Sequence, residues 1–152
     1  MSDPATTPVD SANLILKLYE LRREPLLRQA RSWFVGEFNP ETFEELLEIV
    51  HGPKNPWFRM VVGYWDMAAS LVISGAIDSK MFRDTSGEIV ATFSKVEPYL
   101  AELREATGSP DFLKNMENLV REIPGSEARM NLVRERLRAT AKENAVASEA
   151  AS

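Results

Sequence analysis

The sequence has no cysteine and a single histidine, His51. The first absence removes disulfides, thiolate metal sites and cysteine nucleophiles together. It fits a reducing compartment, and a cytoplasmic location is expected. The second absence removes most histidine chemistry. Glu48 and His51 have the Glu-x-x-His spacing of di-iron helical bundles, but such centres need a second copy of that motif and two further glutamates on facing helices. A serine triad would have to take His51 as its base. No Gly-x-Ser-x-Gly, phosphate loop or dinucleotide fingerprint occurs. Beside Gly52-Pro53, His51 reads more simply as a side chain complementing the dipole at a helix C-terminus. No catalytic residue, metal or cofactor is therefore expected.

Alternating apolar and polar residues of strand length are missing, as are Asn-Gly and Asp-Gly hairpin turns. The opening M-S-D-P-A-T-T-P-V-D has no basic segment leading into an apolar run, so no signal peptide is read there. No uncharged apolar run of about 20 residues exists. The nearest approach, residues 56–78, is interrupted by Arg59 and Asp66, and one charge at mid-span costs about 2.5–3.5 kcal/mol. Membrane insertion is not expected.

Net positive charge is missing too. The chain carries a formal -5 over 152 residues, so it does not seek nucleic acid or anionic lipid by bulk charge. Local basic stripes exist at Lys17, Arg22, Arg23, Arg28 and Arg31, and again at Arg129, Arg134, Arg136, Arg138 and Lys142. Acids at Glu122, Glu127, Glu135 and Glu143 interleave with the second stripe. A nucleic-acid or membrane-surface binder is thus kept only as an alternative. Solvated faces with internal pairing, such as Arg31 with Glu44 or Glu48, are the main reading.

What is present is helix. Leu14, Leu18, Tyr19 and Leu21 recur at helical spacing, and Pro25 divides the pattern into segments near 11–23 and 24–36. The second segment places Leu26, Leu27, Ala30, Trp33 and Phe34 on one face. Asn39-Pro40 and Asn55-Pro56 each read as a capped start with proline at the first helical position. Asp78 can cap a short turn. The 86–106 stripe should kink or break at Pro98. Gly108-Ser109-Pro110 is a further stop-and-start signal before an amphipathic helix carrying Phe112, Leu113, Met116, Leu119, Val120 and Ile123, and Pro124-Gly125-Ser126 breaks that helix from the last one. The predicted fold is an all-α, single-domain bundle of six to seven helices around a buried central helix. Residues 1–10 are expected to be disordered, 11–138 to form the bundle, and 139–152 to fray.

The central stretch, residues 56–78, P-W-F-R-M-V-V-G-Y-W-D-M-A-A-S-L-V-I-S-G-A-I-D, reads as one helix ending at Ser74-Gly75 and apolar nearly all round, which requires other helices to wrap it. Asp66 stands alone in its middle. A buried carboxylate must be paired or protonated, and Arg28 and Arg31 are the expected partners, since a guanidinium binds a carboxylate bidentately. The structural reading is an ion pair that fixes helix register. The functional reading is an acid in a ligand pocket beside Trp65, Tyr64 or Trp33. The tryptophans and methionines at helical spacing read as core before they read as a cavity lining.

The segments L-Y-E-L-R-R-E-P-L-L-R-Q-A-R-S-W-F, F-R-M-V-V-G-Y-W-D-M-A-A-S-L-V-I-S-G-A-I-D and V-E-P-Y-L-A-E-L-R-E resemble a group of uncharacterised bacterial helical proteins of the domain-of-unknown-function type. The resemblance implies an all-helical fold and no assigned activity. The functional expectation is a soluble, non-enzymatic bundle that acts by protein–protein contact or self-association, or regulates a partner. The alternatives are a small-molecule pocket near Trp65 and Asp66, and an enzyme working with carboxylates alone.

Overall fold

A computed structural model describes residues 6–152. Among them the regular structure is entirely helical: α1 (Pro8–Arg22), α2 (Pro25–Gly36), α3 (Phe43–Val50), α4 (Asn55–Ile73), α5 (Ser79–Thr85), α6 (Glu88–Val96), a 3-10 turn (Glu97–Tyr99), α7 (Leu100–Thr107), α8 (Lys114–Glu122) and α9 (Ser126–Ala151). The all-α expectation holds. The division is finer than six or seven helices, because Pro98 breaks its segment outright and residues 79–85 form a full helix.

Local chemistry sets most boundaries. Thr7 caps α1 by accepting from the Asp10 amide at 3.1 Å, with Pro8 at the first helical position. Pro25 separates α1 from α2, and the Glu24 carboxylate caps α2 by accepting from the Leu27 amide at 2.8 Å. Asp78 caps α5 through the Met81 amide, 2.9 Å away. Gly75 and Gly108 leave their helices at φ 85° and 66°, in the left-handed region that glycine enters without strain.

Three starts differ from expectation. Asn39-Pro40 does not open α3. Thr42 does, accepting from the Glu45 amide at 3.2 Å, while Glu45 reaches back to the Glu41 amide at 2.7 Å. The preceding stretch is held out of the helix by the buried Phe38 and by Tyr99, which donates to the Pro40 carbonyl at 2.9 Å. Asn55 does not cap α4; it lies inside the first turn and donates to the Val50 carbonyl at 2.6 Å, tying α3 to α4. α8 begins after Phe112, because Leu113 sits at φ 56° with its side chain buried.

The core gathers on α4, which packs against α2 on one side and α8 on the other, while α6 lies against α9. Phe34 and Phe38 stack at 4.5 Å between centroids, with Trp33 edge-on to Phe34. Yet α4 is not wrapped on every side. Arg59, Gly63, Met67 and Ile73 are exposed along it. At the chain ends, α1 is already helical at Pro8, and residues 1–5 lie outside the described part. The segment expected to fray continues α9 to Ala151, every side chain from Ala139 onward exposed. No helix among the described residues is long and apolar enough to cross a membrane.

Candidate functional site

The residues singled out in the sequence do not converge on one pocket. Asp66, expected to meet Arg28 or Arg31, faces the opposite way. Its carboxylate accepts from the Met116 amide at 2.9 Å and from the Asn115 side-chain amide at 3.2 Å. Met116 is in the first turn of α8, whose amides have no capping side chain of their own, because the residue in the capping position is Leu113. A carboxylate at a helix N-terminus is favoured by the unpaired N–H groups and the dipole. Asp66 is thus a cap supplied to α8 from the middle of α4, and the predicted Asp66–arginine pair is corrected.

Arg31 has a different partner. Glu88, the first residue of α6, accepts from Arg31 Nε at 2.9 Å and Arg31 Nη2 at 2.5 Å, and from Arg22 Nη2 at 2.8 Å. All three side chains are largely buried, with 15–21% of their surface exposed. The hydrogen bond to Glu88 holds the Arg31 guanidinium above its ordinary pKa. The pairing of Arg31 with Glu44 or Glu48 is replaced by this cluster, and Arg28 is exposed. Sequence spacing could not find Glu88, which stands 57 residues from Arg31.

The aromatic residues are core. Trp33 packs against Phe34, Phe38 and Trp57. Trp65 is 1% exposed, lies under the Arg22 guanidinium at 5.4 Å, and its indole N–H has no hydrogen-bond partner among the described residues. Tyr64 donates to the Leu18 carbonyl at 2.6 Å, joining α4 to α1. Burial pushes its phenol up to about 12, against the pull of Arg22 and Arg31. Between pH 10 and that value the unfolded phenol ionises while the folded one keeps its proton, so this contribution is complete below pH 10 and lost as pH rises through about 12. Tyr64→Phe is expected to lower stability by about 1 kcal/mol at neutral pH. In urea titrations it should also flatten the fall in stability above pH 10 relative to the parent; parallel pH profiles would show that Tyr64 does not carry it.

What the geometry does assemble is a shallow apolar groove over the uncovered side of α4. Met60, Gly63 and Met67 form one wall, Leu21 and Leu27 the other, and Tyr64 lies between them. Of the six residues proposed from the sequence, this groove includes Tyr64 alone. Leu21 and Met67 are 47% and 41% exposed. A base, Arg59, stands on the α4 side, and an acid, Glu24, stands at the junction of α1 and α2. The signal for it was in the sequence as a glycine at mid-helix. Gly63 has ordinary helical surroundings, and a Cβ built there meets nothing within 4 Å.

No curated protein and no solved structure matches the chain. Residues 8–123, from α1 through the end of α8, match the family described as a domain of unknown function, DUF4760, and the chain belongs to that family.

Proposed function

We propose that the protein works by protein–protein contact through the groove on α4, and that a second copy of the chain occupies it. The observation that carries this reading is the bare centre of α4. A glycine in a helix interior costs about 1 kcal/mol relative to alanine, and nothing among the described residues requires it, since the space above Gly63 is open. A glycine there lets another helix approach closely. Leu21 and Met67 beside it expose apolar surface that such a helix would cover.

The charges favour self-association. In a two-fold contact each surface meets its own image, so residue i faces j and j faces i. One wall of the groove carries Arg59 and the other Glu24, and Arg59 has no ion-pair partner among the described residues. Two copies related in this way set Arg59 of each against Glu24 of the other. The pocket reading near Trp65 and Asp66 has less support, because the Asp66 carboxylate is engaged by α8 and Trp65 is enclosed.

Light scattering after size exclusion tests the proposal. A dimer of the 17.1 kDa chain is expected, with Met67→Glu shifting it to monomer. Gly63→Ala should do two opposite things. It should raise the stability of the dissociated monomer by about 0.5–1 kcal/mol, and it should weaken the dimer. A parent chain that stays monomeric at high concentration, or a dimer indifferent to Met67→Glu, would reject the groove as the contact face.

A further inference from the structure

On another face, α9 runs beside the 3-10 turn and the loop before α3, leaving a cleft of about 480 Å³. That volume lies within the range of small-molecule sites. Three cations line it: Lys95, Arg134 and Arg138. Tyr99 and Leu137 give it apolar walls. We infer that this cleft binds a small organic anion with an apolar body, its charged end on Arg138 and Arg134 and its body against Leu137 and Tyr99.

The charge accounting favours an anion. Arg134 donates to the Ser94 carbonyl at 2.9 Å and to the Asn131 side-chain oxygen at 3.3 Å, and is neutralised by Glu97 at 2.6 Å. Arg138 follows at i+4 on the same face of α9, where like charges repel, and it is exposed with no acid paired to it among the described residues. Lys95 spends its three N–H groups on the carbonyls of Phe34, Val35 and Phe38, at 2.6, 3.0 and 3.0 Å. Those carbonyls close the C-terminal end of α2, so Lys95 keeps a charge that no carboxylate among the described residues balances. Burial pulls its pKa down to about 8, and an anion in the cleft would oppose that shift. The acid on the wall, Glu41, is bonded to none of the three. It stands near Tyr99, whose phenol is pushed up by burial first and then by Glu45 and Glu41.

The roles differ. A guanidinium has five N–H donors, so Arg138 offers all of its own and Arg134 retains two. Lys95 supplies field rather than hydrogen bonds. Arg138 is on the exposed part of the cleft, so its replacement leaves the bundle core intact.

The probe is 8-anilinonaphthalene-1-sulfonate, followed by fluorescence on the full chain. Saturable one-to-one enhancement is expected, weakened about tenfold by Arg138→Ala, the loss of one charge-assisted contact, and partly restored by Arg138→Lys. Octyl sulfate should displace the probe at concentrations where neither octanol nor inorganic sulfate does. Equal affinity in Arg138→Ala, enhancement that does not saturate, or no enhancement would overturn the inference. Equal displacement by octanol would overturn the anionic part, and by inorganic sulfate the apolar part.

Discussion

Replacing Glu88 with alanine is expected to cost about 3 kcal/mol, the lower end of the range for breaking a buried ion pair by removing one partner. The low end applies because each side chain keeps 15–21% exposure. Two guanidiniums lose one shared carboxylate. Arg22 lies in the last turn of α1, and Glu88 opens α6. Each charge therefore also suits the dipole of its own helix, and the substitution removes the Glu88 share while Arg22 keeps its own. Alanine is a good helix former, so propensity does not explain a loss. Urea denaturation at two salt concentrations gives the measurement. The loss should change little with salt, as expected of charges shielded from solvent. In a cycle with Arg31→Leu, the double variant should be at least 1 kcal/mol more stable than the two single losses added together. A loss under 1 kcal/mol for Glu88→Ala would mean that water replaces the carboxylate without penalty.

Asp66→Ala is expected to cost about 2 kcal/mol, the upper range for loss of a helix cap. The substitution removes the acceptor for the Met116 amide and the Asn115 side chain. Asp66→Asn should be milder, because the amide oxygen still accepts while the favourable charge at the helix end is lost. Amide exchange locates the effect: protection should fall at residues 114–117 and not in α2. Loss spread evenly over the chain, or a neutral Asp66→Ala, would contradict the capping role. This test also separates the cap from the arginine pairing expected from sequence, which would have loosened α2.

How much of this was legible beforehand depended on the range of each interaction. Pro25, Gly75, Asp78 and Gly108 act within a turn of where they stand, and their effects were readable in the one-letter string. Pro98 was readable as an interruption, though not as a 3-10 turn. Asn39-Pro40 misled because a buried Phe38 and the Tyr99 hydrogen bond, 59 residues away, override a local capping pattern. Asp66 stands out in the sequence as a carboxylate in need of a partner. Its partner is a backbone amide 50 residues on, and a main-chain group leaves no trace in residue identities. Arg31 failed for the related reason that any of several glutamates satisfied the same chemistry. The groove is half legible: the sequence shows a helix apolar nearly all round with a glycine in it, but which strip lacks a covering helix depends on how the others pack.

The borrowed start of α8 makes that helix conditional on α4. A nine-residue helix is too short to persist alone in water, and the residue before it, Leu113, sits in the left-handed region, a conformation that costs about 1–2 kcal/mol. The group that compensates arrives only once α4 has formed and the two segments have met. α8 therefore depends on a group some 50 residues away in the chain, and a change that shifts Asp66 is felt at the start of a helix it does not belong to.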